Sequence, residues 1–314
     1  MRPQIAVVVG TYNRLEQLKA CIESIARETS SPYVVYVTDA GSTDGTVEYL
    51  RSIASDIVHP RLVGERLGQA KAYNDVFNEA TAPYVCWLSD DNVIVNRGLD
   101  VALAALKSDA RLGMVGLKVQ DQQGPFVGSP YGGGVSSIGV LNINQGMLPT
   151  PLLQALGGFS ETFRFYGIDP DLTARVLFSG WDIALTKAVT IHHFRNWSTE
   201  KGSPAWKKMK KTQLRAAQLY NAKYGALHFP SIRYAAKRRV FAALQRLFPR
   251  RLAINETRPF LGSLPRDLHN LFLGRFIALA DPLTSVGKAH YLVQRCPKRL
   301  LPERLPPEPQ AFAG

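Results

Sequence analysis

The sequence predicts an α/β protein: a Rossmann-like, mostly parallel sheet flanked by helices, followed by a basic helical C-terminal extension. Three observations carry this expectation. Apolar runs of strand length alternate with stretches of helical 3–4 spacing through the first hundred residues. The links between them are short, as in sheets built from right-handed crossovers. Charge is also divided unevenly. Residues 1–199 carry 16 Lys and Arg against 19 Asp and Glu, whereas residues 200–314 carry 22 against 6, so the whole excess of +13 lies in the last third.

Residues 5–10 are a continuous apolar run, as in a strand buried on both faces. Leu15, Leu18, Ile22 and Ile25 then recur at the spacing of an amphipathic helix. Residues 33–38 are β-branched and aromatic, a second strand that ends at Asp39. Turn and cap residues over 42–46 lead into a helix through Val47, Leu50 and Ile53. A helix over 69–80 precedes a strand over 84–88, which runs into Ser89, Asp90 and Asp91. Ligands of parallel sheets bind outside the carboxyl ends of the strands, so Asp39 and Asp91 are expected to face one crevice.

Residues 113–120 and 135–143 read as further strands, separated by a Gly- and Pro-rich surface loop over 124–134. A short helix over 152–156 stops at Gly157 and Gly158. Another begins near Asp169, with Asp169 as its N-cap, Pro170 at its first helical position and Gly180 just past its end. Residues 183–191 form a strand leading into His192 and His193, and helical spacing returns from Lys207 to Gly225.

Composition narrows the function. A chain with 46% hydrophobic residues is neither disordered nor a disulfide mini-protein. Its three cysteines are far apart and form no CxxC, which disfavours a structural zinc site and fits a reducing compartment. The N-terminal apolar run is too short for a signal-peptide core, and no stretch has the length of a membrane span. A cytoplasmic location is therefore expected. GxSxG, HExxH, P-loop and GxGxxG motifs are all missing. There remain carboxylates at strand ends and one at a helix start. Asp90 and Asp91 could hold a divalent cation through oxygen, with a diphosphate completing its shell. Taken alone, the same pair also reads as a solvated acidic turn.

Longer motifs favour the first reading. Val9-Gly10-Thr11-Tyr12-Asn13-Arg14 resembles a P-T-Y-N-R opening, and residues 37–46 resemble V-D-D-G-S-T-D-G-T. Gly68 to Asn74 resembles G-x-x-x-A-x-N, and Ser89-Asp90-Asp91 occupies the place of a D-x-D. Gly157 to Glu161 with Gly167 to Leu172 resembles G-G-F-D-E…G-x-E-D-x-D-L. In this order, over residues 4–225, the motifs resemble family 2 glycosyltransferases, which have the GT-A fold and are inverting enzymes.

The resemblance implies a role for each matched position. Asp91 would bind Mg²⁺ or Mn²⁺, with His193 as a further ligand. Asp90 would contact the ribose and Asp39 the nucleotide base. Thr11, Asn13, Arg14 and Asn74 would complete the donor site. Asp169 would be the general base, with Asp171 as the fallback. Ser89 stands in place of the first Asp of D-x-D and Ile168 in place of the Glu before Asp169. The donor would be a UDP-, dTDP- or GDP-linked sugar, and the acceptor a glycan or a lipid-linked glycan.

The expected organisation is a GT-A glycosyltransferase domain over 1–228, its nucleotide-sugar half about 1–95 and its acceptor half about 96–228. A basic helical extension over 229–314 ends in a Pro-rich, disordered segment. Residues 232–251 hold seven cations and no acid around an apolar stripe that includes Ile232, Val240 and Leu247. Such a helix suits an anionic membrane surface, placing the protein peripherally at the inner face of the membrane. Packing of that helix on the domain is the alternative. Nucleic acid is not expected as a partner, since no recognition module accompanies the charge. Two other functions stay open: a sugar-phosphate nucleotidyltransferase, and a non-catalytic membrane-associated scaffold of the same fold.

Overall fold

The computed structural model describes residues 2–123, 136, 140–163, 166–195, 202–224 and 291–294. The first half alternates as expected: β1 (Ile5–Thr11), α1 (Leu15–Glu28), β2 (Tyr33–Asp39), α2 (Thr46–Ser52), β3 (Val58–Leu62), α3 (Gln69–Glu79) and β4 (Tyr84–Ser89). Then come β5 (Asn92–Ile94), α4 (Gly98–Ser108), β6 (Leu112–Asp121), β7 (Gly146–Pro149) and α5 (Thr150–Ala155). The last described elements are α6 (Ile168–Phe178), β8 (Asp182–His193), α7 (Pro204–Tyr224) and β9 (Tyr291–Gln294).

These strands form one sheet in the order β3-β2-β1-β4-β7-β6-β8-β5, with β9 beside β8. Strands β3, β2, β1 and β4 are mutually parallel, and β6 is parallel to β8. Only the short strands β5, β7 and β9 run against their neighbours. Alternation along β1 divides the core in two. Ile5, Val7 and Val9 pack with Leu18 and Leu99 on one face, while Ala6 and Val8 pack with Phe77, Phe159 and Leu172 on the other. With both faces covered by helices, β1 is apolar throughout, which explains its unbroken hydrophobic run.

Several elements depart from expectation. Residues 140–143 form no continuous strand, and the antiparallel partner of β4 is β7 instead. The glycine in β7 hides it: a Cβ on Gly146 would sit 3.0 Å from the Trp87 ring and from the Val115 carbonyl. Packing demands glycine where strand patterning would want a side chain. Strands β3 and β5 were not anticipated either; β3 is a half-exposed edge strand and β5 has three residues.

The helix after Gly167 starts two residues before the expected position. Gly167 is its N-cap, at φ +94°, so Asp169 lies inside the first turn and caps nothing. Gly180 follows the helix at φ +99°, as expected. The 124–134 loop, the domain boundary near 228, the 232–251 helix and the Pro-rich end lie outside the described residues. Of the expected extension only β9 is described, and it is a strand on the edge of β8.

Candidate active site

The parallel strands end on one rim, and register decides what meets there. Thr11 at the end of β1 pairs with Asp39 of β2, and Gly10 pairs with Ser89 of β4. Asp121 ends β6 opposite His193 of β8, while β5 pairs Asn92 with His193 from the other side. The Phe194 amide donates to the Asp91 carbonyl at 2.8 Å, closing that strand pair. The short β5 therefore seats His193 beside the Asp90-Asp91 turn. Asn92 shapes this turn from within by accepting from the Ser89 amide at 2.9 Å.

Asp90 and Asp91 share one guanidinium. Arg14 Nη1 lies 3.0 Å from Asp90 Oδ1 and 2.8 Å from Asp91 Oδ2. Thr11 donates its hydroxyl to Asp90 Oδ2 at 2.9 Å. The two carboxyls are nevertheless held apart in acidity. Burial and the neighbouring Asp91 charge push Asp90 up to about 6, against Arg14 and Thr11. Burial acts on Asp91 in the same sense, but His193 and Arg14 outweigh it and hold Asp91 below the ordinary carboxylate value.

His193 stands between two carboxylates. Its Nδ1 is 2.9 Å from Asp121 Oδ1 and its Nε2 is 3.3 Å from Asp91 Oδ1. Burial alone would lower its pKa, yet the two acids raise it to about 9. Asp91 Oδ1 is buried and has no aligned hydrogen-bond donor. A carboxylate oxygen and an imidazole nitrogen thus face each other at the rim, with Asp121 behind the imidazole. That is a carboxylate–histidine–metal arrangement, in which the rear acid fixes the ring and raises its basicity. Among the described residues no group of three His, Cys, Asp or Glu side chains is arranged to hold a metal ion. Two protein donors fit a cation whose remaining ligands come from a diphosphate and water.

A cavity of about 410 Å³ opens beside this turn, lined by Thr11, Arg14, Asp90 and Tyr73 among others. Two residues of its wall escaped the sequence reading. Arg66 lays its guanidinium 3.7 Å from the centre of the Tyr12 ring, and both face the cavity. Tyr73 donates to the Leu88 carbonyl at 2.6 Å and accepts from the Gly10 amide at 3.1 Å, stapling α3 to β1 and β4. Asp121 was also missed, although its place at a strand end matches that of Asp39.

Three expected donor residues also hold the scaffold. The Asn74 amide donates to the Phe159 carbonyl at 2.8 Å and accepts from its N–H at 2.7 Å, so it fixes the Gly157-Gly158 turn and lies off the cavity wall. Gly158, at φ +67°, touches Asn74 so closely that no Cβ fits. Asn13 Oδ1 accepts from the Thr43 amide at 2.7 Å, pinning the loop after β1 to the loop after β2. The buried Asp39 carboxylate accepts from the Gly41 and Ser42 amides at 2.9 and 3.0 Å and from the Ser42 hydroxyl. It shapes the turn at the cavity edge, where Thr38 and Ala40 supply the wall.

Asp169 remains partly accessible at the start of α6. Crowding by protein pushes its carboxyl well above the ordinary range. Asp171, the fallback base, is fully buried and engaged by Arg175 at 2.8 Å, Lys223 at 2.9 Å and Tyr224 at 2.7 Å. It has no access to an acceptor.

Residues 6–141 match the family model described as "Glycosyl transferase family 2". This stretch belongs to glycosyltransferase family 2. The glycosyltransferase stretch is 28% identical over 108 residues to an uncharacterized glycosyltransferase, YibD, of Escherichia coli, covering 34% of this chain and 31% of that one. It is 36% identical over 90 residues to the validoxylamine A glucosyltransferase of Streptomyces hygroscopicus subsp. limoneus, covering 27% of this chain and 20% of that one. The matched stretch spans about a third or less of these curated relatives. The fold resembles that of S. aureus TarS, with a TM-score of 0.54 and 17% identity over 89% of this chain and 49% of TarS. A shorter TarS structure, residues 1–349 in complex with UDP-GlcNAc, gives 0.52 and 19% over 68% of this chain and 65% of that one. Both are consistent with the GT-A arrangement of sheet and helices described above.

Proposed function

We propose that this glycosyltransferase is an inverting enzyme that moves a sugar from a UDP-, dTDP- or GDP-linked donor to a hydroxyl of a glycan or lipid-linked glycan. The observation that carries the reading is the buried Asp91 Oδ1 facing His193 Nε2 beside the cavity. In this reading Asp91 and His193 hold Mg²⁺ or Mn²⁺, which when bound offsets the negative charge that develops on the departing diphosphate. Arg14, already at the rim, adds a fixed positive charge to the same place. Thr11 and Asp90 orient the ribose side of the donor, and Arg66 on Tyr12 offers a flat cationic face to the base.

Asp169 takes the proton of the acceptor hydroxyl as its oxygen forms a bond to the anomeric carbon. The bond from that carbon to the diphosphate oxygen breaks on the opposite side, so the anomeric configuration inverts. A carboxyl lifted toward neutrality is a better proton acceptor than an ordinary one, provided that it is ionised at the working pH. The acceptor is placed at the cytoplasmic face of a membrane. Between Glu200 and Glu256 there are 14 Lys and Arg and no acid. Among the described residues no helix is long and apolar enough to cross a membrane, so attachment in this reading is peripheral.

The test is donor turnover. Nucleotide sugars incubated with and without Mn²⁺ should be hydrolysed or transferred only with the cation. Asp91→Asn should lose cation-dependent UDP binding, whereas Asp90→Asn should retain most of it. Equal losses in both variants, or none in Asp91→Asn, would remove the metal assignment. Absence of turnover with every donor would favour the scaffold.

A further inference from the structure

Helix α7 has two faces of different chemistry. Its inner face is fastened to the helix that carries Asp169. Lys223 Nζ lies 2.9 Å from Asp171 Oδ1, and Tyr224 donates to the same oxygen at 2.7 Å. Leu219 and Tyr220 are buried beside them. The outer face is cationic. Lys207, Lys208, Lys211 and Arg215 are exposed and fall within about 100° of one another on a 3.6-residue helical wheel. Leu214 is 61% exposed at the edge of that arc. Lys210 lies over the Trp206 ring at 5.6 Å. The helix contains no Asp or Glu.

We infer that α7 is a docking helix for an anionic bilayer, with its outer cations at the headgroups and Leu214 in the interface. The inference rests on the membrane-face part of the proposed function and moves part of the contact from the 232–251 segment into the folded domain. Two features favour a bilayer over a soluble polyanion. A large aliphatic side chain is exposed among the cations, where a polyanion gives it nothing to bury against. The helix is also built into the domain through Lys223, so docking would fix the orientation of α6 and its Asp169 relative to the surface. The chemistry is that of an interfacial helix: cations drawn to anionic headgroups, and apolar surface buried at the acyl boundary.

Full-length protein should co-sediment with phosphatidylglycerol-containing vesicles at low salt, less so at high salt, and not with pure phosphatidylcholine. The triple variant Lys207→Glu, Lys208→Glu, Lys211→Glu should lower that partitioning at least about 100-fold, at roughly fivefold per cation. All three side chains are exposed, and surface substitutions of this kind cost little stability, so the variant is expected to fold. UDP binding by the same sample checks this and should equal that of the parent chain. Leu214→Gln should weaken partitioning with the charge unchanged. Parent-like partitioning of the triple variant would overturn the inference in favour of the distal segment. Binding to soluble polyphosphate with no vesicle binding would overturn it in favour of a polyanion. Failure of the glycosyltransfer reading is seen separately, as intact vesicle binding by a protein that turns over no donor.

Discussion

Asp91 Oδ1 and His193 Nε2 stand 3.3 Å apart because the three-residue strand β5 pairs with the last residues of β8. The contact joins the acidic turn after β4 to a strand that begins far along the chain. It also sets the protonation of the site, since Asp91 is held ionised while His193 is raised to about 9.

That asymmetry gives the first prediction. At neutral pH the carboxylate has no proton to lose, whereas Nε2 must lose one before it can ligate a cation. Mn²⁺ uptake near neutrality should therefore release about one proton. Calorimetry in two buffers of different ionisation heat measures it. No release would remove His193 from the ligand set.

Asp121 offers an independent check. It touches the far nitrogen of the His193 ring at 2.9 Å, on the side away from Asp91. Asp121→Asn should weaken Mn²⁺ binding about 10–100-fold while leaving metal-free nucleotide binding close to that of the parent chain. Unchanged Mn²⁺ affinity in equilibrium dialysis would mean that the acid behind the ring has no part in metal binding.

Asp169→Asn should separate chemistry from binding. Loss of a general base lowers turnover about 10²–10⁴-fold with donor affinity nearly unchanged. Transfer by the parent chain should rise with pH through the elevated Asp169 pKa. Stability moves the other way. The folded-state pKa lies above the unfolded one, so the folded chain binds more protons between the two values and loses stability as pH rises across that window. Asp169→Asn removes that loss, so its Tm should exceed the parent's at neutral pH. Below the ordinary carboxylate range the two should converge. A lower Tm at neutral pH would show that the carboxylate contributes a contact that offsets its burial.

The buried Asp171 cluster is a structural joint. Lys223→Met leaves the carboxylate with Arg175 and Tyr224 but removes one of its two cationic partners, and should cost about 3 kcal/mol in urea denaturation. A loss below about 1 kcal/mol would place Lys223 among weakly coupled surface-type pairs.

Strand β9 covers residues 183–186 of β8. A chain ending at residue 290 should therefore self-associate more than the full chain, because it presents an uncovered strand edge. Size-exclusion profiles over a range of concentrations read this directly. A strictly monomeric truncation would show that β9 is dispensable for edge protection.

Much of this architecture is legible in sequence because buried parallel strands are apolar throughout and end in polar residues on one rim. Ile5 to Val9 and the chemistry following Leu88 needed no tertiary information. The residues that escaped did so for physical reasons. Strand β7 is short and holds a glycine that Trp87 requires, so no alternation marks it. Asp121 belongs to the rim only through pairing with β8, a register that sequence does not display. Asn74 and Asp39 are polar residues at motif positions, where a ligand contact and a turn-fixing contact leave the same trace. Asp169 shows the converse: its matched position was visible, but its role as a cap depended on whether the helix began at Ile168 or two residues later.

The pairing of β8 with β9 also bears on how the chain assembles during synthesis. Every strand from β3 through β4 has its partners on the parallel side of the sheet once residue 89 has emerged. The outer edge of β8 at residues 183–186 has to wait for residues 291–294. The half that carries the cavity can thus form early from nearby contacts, whereas the other side is completed only by a contact of long sequence separation, which is the slow kind. Until then β8 carries an open edge on the nascent chain. Chaperone demand and misassembly should therefore concentrate in that interval of translation, on the side of the sheet that holds His193.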